Sequence, residues 1–158
     1  MTDKHTIPTD PQALAEAVAT AMWARDRAGQ ALGMRIEAVG PGTATLAMPV
    51  RGDMVNGHHI CHGGLIFTLA DTAFAYACNS YNKNTVASAC HIDFLAPAKE
   101  GETLEAEAVE RSASGRTGVY DITVRTTGGK SSGKTVALFR GKSYRINGEV
   151  IAGLQQAD

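Results

Sequence analysis

From Gly64 to Asn79 the chain reads GLIFTLADTAFAYACN, about sixteen residues that are apolar on almost every side of a helix. A helix with one apolar stripe rests on a surface, whereas one that is apolar all round must be enclosed. A bilayer is not the enclosure, because a spanning helix needs roughly 18 or more uninterrupted apolar residues and no stretch of this chain has them. The rest of the protein must therefore wrap it. After the helix, the segments Thr85 to Leu95, Glu102 to Ser112, Gly118 to Thr126 and Thr135 to Ile146 each alternate with period two, separated by Gly, Ser, Lys or Pro. That is the pattern of successive antiparallel strands.

Ahead of the helix, Met34, Ile36 and Ala38 alternate, Gly40-Pro41-Gly42 breaks the run, and Ala44, Leu46, Met48 and Val50 alternate again, which predicts a hairpin of two half-buried strands. Asp10 reads as an N-cap followed by a first-turn proline, Pro11, with Leu14, Val18 and Met22 at helical spacing. A helix is expected from Pro11 to about Ala28. The order helix, two strands, buried helix, four strands predicts an α+β fold, an antiparallel sheet of about five to six strands curved around the central helix. A length of 158 residues suits a single domain over 1–158, with residues 1–10 expected to be flexible. No internal repeat is present, and GGKSSG at Gly128 to Gly133 reads as a flexible hairpin tip.

The 15 basic and 16 acidic residues nearly cancel, so no bulk field draws the chain to nucleic acid or an anionic membrane. The N-terminus MTDKHTIPTDPQ lacks the apolar run of an export signal. Three cysteines, Cys61, Cys78 and Cys90, make an odd number in a chain large enough to fold without staples, which points to packing residues in a reducing, cytoplasmic compartment.

Asp71 lies in the middle of the apolar helix. A carboxylate there is costly unless it is paired, exposed in a cleft, or used. A hydrogen-bonded core Asp and a general base with a raised pKa both satisfy the pattern. His62-Gly63-Gly64 falls at the first turn, where free N–H groups and the positive end of the helix dipole suit an oxyanion. Glycine lets a ligand approach, which makes Gly63 N–H a candidate donor to a carbonyl oxygen as charge develops. A plain loop-to-helix junction is the alternative. Gly63 and Asp71 are eight residues apart, roughly 12 Å along one helix. A nucleophile must lie within about 3.5 Å of the carbonyl carbon, so the two groups would serve one substrate only from different subunits, with two such helices antiparallel across a two-fold axis.

Asn56 offers a side-chain amide to the same carbonyl, or simply forms an Asn56-Gly57 turn. The run His58-His59-Ile60-Cys61-His62 is too crowded for paired metal ligands, and no second cluster follows. No metal and no cofactor are expected. Gly115-Arg116-Thr117-Gly118, with Arg111 nearby, is a basic turn that either meets the phosphates of coenzyme A or is plain solvated surface.

The stretches NGHHICHGGLIFTLADTAFAYACNS, VASACHIDFLAPA, TGVYDITV and TVALFRGKSYRI resemble the PaaI-like branch of the hot-dog fold thioesterases, associated with phenylacetate degradation, from about Met22 to Val150. The resemblance implies a hot-dog domain, dimers joined edge to edge with composite sites, and homotetramers made of two such dimers. It also implies hydrolysis of phenylacetyl-CoA or a related aryl-acyl-CoA. By matching motif positions it assigns Asn56 and Gly63 to polarising the thioester carbonyl, Asp71 of the partner chain to activating water or attacking directly, and Thr72 to orienting that group. His62, Gly64, Arg111, Arg116 and Thr117 are the expected substrate-binding residues. Hot-dog domains also serve as acyl-CoA-binding regulators and as hydratases or dehydratases, so fold kinship alone does not settle function. A regulator would need an effector module, and none is visible in the sequence.

Overall fold

The computed structural model describes residues 6–152. Three α-helices, α1 (Pro11–Trp23), α2 (Arg27–Ala31) and α3 (Gly63–Asn79), accompany six strands: β1 (Arg35–Gly40), β2 (Thr43–Pro49), β3 (Thr85–Phe94), β4 (Thr103–Ser114), β5 (Thr117–Thr127) and β6 (Thr135–Arg145). The strands form one sheet in the order β1-β2-β4-β5-β6-β3, and every neighbouring pair is antiparallel. The expected sheet wrapped on an apolar helix is what the chain forms, and its strand boundaries fall within two residues of the expected ones. Of residues 1–10, positions 1–5 lie outside the described residues.

The apolar helix α3 lies on one face of the sheet. Leu69, Ala70, Ala73 and Ala77 have no exposed surface, and Phe74 is 1% exposed. The alternation read from the sequence supplies the opposite wall: Leu46 and Met48 of β2, Leu104, Ala106 and Ala108 of β4, Ile122 and Val124 of β5, Ala137 and Phe139 of β6 are all buried. Alanines on both sides let backbone and helix approach closely, and larger rings fill the remaining gap. Phe74 stands 5.4 Å from Tyr120 and 6.2 Å from Phe139, and Phe67 meets Phe139 edge-on at 5.2 Å, the tilted arrangements aromatic quadrupoles favour.

The N-terminal helix corrects one expectation. It starts as predicted, with Asp10 accepting from Ala13 N at 2.8 Å and Pro11 in the first turn. It ends at Trp23 rather than Ala28, and a separate short helix begins after Asp26. The cause is local: Asp26 accepts from Gly29 N at 2.8 Å and Gln30 donates to Trp23 O at 2.7 Å. An Asp that can cap a new start competes with continuing the old helix.

The topology sends β3 to the far edge of the sheet, beside β6. Its other edge is unpaired among the described residues, and nearly all of it is exposed. Val86, Phe94, Leu95, Leu138, Tyr144 and Ile146 form the large exposed apolar side chains around it.

Gly141 of β6 is a sharp test of the packing. A Cβ there would sit 2.7 to 2.8 Å from the Phe74 ring, which is enclosed and has no room to move. Gly141→Ala should therefore cost about 1–3 kcal/mol by overpacking, read as a lower midpoint in urea unfolding with an unchanged slope. An unchanged midpoint would mean that the helix sits less tightly on the sheet than this structure has it.

Candidate active site

The loop that feeds α3 is held by a small ladder. Val55 pairs with Cys61 across an isolated bridge, Asn56 N donates to Ile60 O at 2.9 Å, and His62 N donates to Met54 O at 2.8 Å. Asn56 Oδ1 accepts from His58 N at 2.9 Å and from Ile60 N at 3.5 Å. The turn reading of Asn56 is thus correct, with His59, at φ 58°, rather than Gly57 in the left-handed region. This turn uses only the carbonyl half of the side chain. The Asn56 amide Nδ2 has no acceptor among the described residues, so the turn and a donor role are compatible.

Helix α3 opens on His62, whose Nδ1 accepts from Gly64 N at 2.9 Å. Leu65 N and Ile66 N both reach His62 O, at 2.9 and 3.3 Å. One amide of the first turn, Gly63 N–H, is left with no acceptor among the described residues. Such a group points out of the helix end and carries the positive end of the dipole. Gly64 N–H, expected alongside it as substrate-binding, is already committed to His62. A Cβ on Gly63 would come within 3.1 Å of the Phe94 ring, and one on Gly64 within 3.1 Å of His62 Nδ1, so both positions are tightly packed as glycine.

Two turns further on, Asp71 is half-buried, and burial pushes its carboxyl above the ordinary aspartate value, with no cation paired to it among the described residues. It lines a hollow of about 540 Å³ together with Thr72, Ala75, Tyr76 and Asn79 of its own helix, Met22, Arg25 and Asp26 at the end of α1, and Asn84, Glu149 and Val150. The contribution of α1 and of the chain beyond β6 to this wall was not foreseen, since nothing in a linear pattern says which distant segments meet. Tyr76 O–H donates to Asp26 at 3.2 Å, tying the α2 cap to α3 beside the carboxylate. Thr72 donates its hydroxyl proton to Thr68 O at 2.7 Å, which leaves its oxygen as an acceptor only. Neither Asn56 nor Gly63 lines this hollow.

The basic residues separate. Arg111 is the extra residue of a β-bulge between Glu110 and Ser112, and it donates to Asp121 at 3.0 Å, a carboxylate also held by Arg140 at 2.7 Å. Both guanidinium groups hold the Asp121 carboxyl below its usual range. Arg116 instead donates to Arg145 O at 3.2 Å and to Asn147 Oδ1, and with Thr117, Lys83 and Arg145 it lines a different hollow of about 500 Å³. The expected single basic turn with Arg111 beside it is thus two places, because the bulge redirects Arg111. All three cysteines are free thiols. Burial raises the pKa of Cys61 and pushes that of Cys78 up to about 12, so neither carries the thiolate that nucleophilic chemistry needs.

Residues 58–132 match the family described as the thioesterase superfamily. The chain is 52% identical to the acyl-coenzyme A thioesterase PaaI of Escherichia coli over 132 residues, which cover 84% of this chain and 91% of that one. Among solved structures, the E. coli PaaI protein from the phenylacetic acid degradation operon superposes with a TM-score of 0.84 at 49% identity, covering 89% of this chain and 99% of that one. A mutant of the phenylacetic acid degradation protein PaaI from Thermus thermophilus gives 0.71 at 39% identity, covering 77% and 100%.

Folding raises the Asp71 pKa, so the native chain holds this proton more tightly than the unfolded chain does. The carboxylate then lowers stability as pH rises through the ordinary aspartate range, and the loss is complete above the raised value. Asp71→Asn should melt no lower than the parent at pH 7, and the two should converge below the ordinary aspartate pKa. If Asp71 acts as base or nucleophile, the same variant should lose at least about 10²-fold in turnover. A lower melting temperature together with near-normal turnover would return Asp71 to a structural role.

Proposed function

The chain belongs to the thioesterase superfamily, and we propose that it hydrolyses phenylacetyl-CoA or a hydroxylated or related aryl-acyl-CoA thioester to the free acid and coenzyme A. The observation that carries this reading is a half-buried carboxylate, Asp71, with no counter-ion among the described residues, on the same helix as an N-terminal amide, Gly63 N–H, that is free among them. Supporting it, the E. coli relative is an acyl-coenzyme A thioesterase, and the solved E. coli structure is of a protein from the phenylacetic acid degradation operon.

In this mechanism the thioester oxygen accepts from Gly63 N–H and from Asn56 Nδ2–H. Asp71 takes a proton from water as the hydroxide adds to the carbonyl carbon, or attacks that carbon directly to give an acyl–Asp71 anhydride that water then hydrolyses to the free acid. The donors stabilise the charge developing on oxygen, and collapse of the tetrahedral species breaks the C–S bond and releases the thiolate of coenzyme A. A raised pKa suits the base, because a more basic carboxylate takes the proton more readily at neutral pH. Where water attacks, the oxygen of Thr72, its own proton given to Thr68 O, orients that water by accepting from it. Arg116 and Thr117 are the proposed contacts to the phosphates; Arg111, engaged by Asp121, contributes a fixed charge on a separate part of the sheet. Neither metal nor cofactor is required.

The site is proposed to be composite. Gly63 and Asp71 are eight residues apart on one straight helix, roughly 12 Å, and the hollow of Asp71 does not include Gly63 or Asn56. The unpaired β3 edge and the exposed apolar side chains around it support a homodimer joined there, since an open edge offers a row of unused backbone donors and acceptors. A homotetramer made of two such dimers and a cytoplasmic location complete the proposal, the latter supported by three unpaired thiols.

Purified protein should release free thiol from phenylacetyl-CoA without added metal, and activity abolished by a chelator and restored by zinc would overturn the mechanism. The composite site calls for two dead variants. Asn56→Asp keeps an oxygen for the turn but removes the amide donor, and Asp71→Ala removes the carboxylate. In a mixed dimer one site is doubly damaged and the other intact, so co-expression with random assortment should restore about a quarter of wild-type activity. Verified mixed dimers no more active than either parent would place both residues in one chain's site. Separately, Arg116→Ala should raise KM with little change in kcat, because a phosphate contact is shared by ground and transition states; an unchanged KM would leave Arg116 as solvated surface.

A further inference from the structure

We propose that His62 is a positioning residue for the hydrolysis: its imidazole, acting as the N-cap of α3, holds the Gly63–Gly64 turn so that Gly63 N–H is left free at the helix end. The inference rests on the reading of Gly63 N–H as a donor to the thioester oxygen.

The hydrogen bonds of the first turn give the reason. Of its four amides, Leu65 and Ile66 are satisfied by His62 O, Gly64 by His62 Nδ1 at 2.9 Å, and Gly63 by nothing among the described residues. His62 therefore supplies both acceptors of the turn, and the amide it omits is the one the reaction uses. Histidine is not among the residues favoured at this position, which are Ser, Thr, Asp and Asn. Here its ring does a second thing that those shorter side chains do not. It lies over Gly64 closely enough that a Cβ would meet Nδ1 at 3.1 Å and Cε1 at 3.3 Å.

The same turn is pinned from the other side, where the Phe94 ring lies 3.1 to 3.6 Å from the position of a Cβ on Gly63. The three residues of the His-Gly-Gly run are thus one packed unit, with a ring over each glycine. That matters because two successive glycines are the loosest backbone a helix can start on, while an oxyanion donor works only within about 2.7–3.1 Å of the oxygen. Without the cap, Gly64 N–H is orphaned beside Gly63 N–H and the turn keeps only the Phe94 side of its packing. His62 itself is exposed and acts through Gly64, with no need to touch substrate.

The test uses the full-length protein and four variants, His62→Ala, His62→Asn, Gly64→Ala and the double variant His62→Ala/Gly64→Ala. His62→Ala should lower kcat for phenylacetyl-CoA about tenfold with KM little changed, the size of a lost cap. His62→Asn, which caps with its own oxygen, should return to within about threefold of the parent. Gly64→Ala should harm the parent, by displacing the ring, yet be neutral or helpful in the His62→Ala background, where alanine is simply the better helix former. Amide hydrogen exchange reads the cap without substrate: the Gly64 amide should be protected in the parent and in His62→Asn, and exposed in His62→Ala. If His62→Asn is as slow as His62→Ala while Gly64 stays protected, the imidazole meets the substrate directly and the proposal is wrong. It is equally wrong if His62→Ala keeps full kcat, or if Gly64 exchanges freely in the parent. A parent that releases no thiol would sink the functional reading and the catalytic role with it, while the exchange data would still decide whether His62 is the cap.

Discussion

The structure depends on enclosing a helix that is apolar on nearly every side. Leu69, Ala70, Ala73 and Ala77 lose all contact with water, and at about 25 cal/mol per Å² of buried apolar surface this is the main favourable term available to a domain of this size. The demands on the sheet follow from it. Small residues at Ala106 and Ala108, and a glycine at Gly141 under the Phe74 ring, let the sheet close on the helix. Enclosure also sets the terms for chemistry, because any charge on such a helix is partly stripped of water. Asp71 bears that cost with no partner among the described residues, and the raised pKa that follows is a property that suits a general base at neutral pH.

A helix is also a ruler. The free amide and the carboxylate stand on the same rigid element, eight positions apart, and no side-chain rearrangement brings them to a common atom. Under the proposed assembly a second copy solves this by symmetry, since two antiparallel helices set the start of one beside the middle of the other. The unpaired β3 edge and its exposed apolar side chains supply a surface for that encounter. The helix start then has to be held to within tenths of an ångström although it is built from two glycines, and the rings of His62 and Phe94 restrain them.

Much of this was legible in the sequence. The strands were, because period-two alternation in β4, β5 and β6 reports directly which face meets the core. Asp71 stands out because an uncompensated carboxylate is rare in such a helix, and Gly63 because a first-turn amide is free and glycine lets a ligand approach it. The break after Trp23 is not legible there: helical spacing continues through Met22, and the stop comes from the Asp26 to Gly29 cap. The separation of Arg111 from Arg116 is not legible for a related reason, since a single bulged residue changes which way a side chain leaves the strand and leaves no mark in composition.

The sequence by itself determined the elements and the chemistry they carry: an apolar helix, the strands that must enclose it, a lone carboxylate within it, and a glycine pair at its start. These are local properties, written in spacing and residue type. Only the tertiary structure decided which partners each group acquired. It showed the α1 end and the chain beyond β6 walling the Asp71 hollow, His62 taking the Gly64 amide and leaving that of Gly63, and Asp121 drawing Arg111 away from the basic turn. Such pairings depend on contacts between residues far apart in the chain, or on the direction a single side chain takes, and no periodicity encodes either.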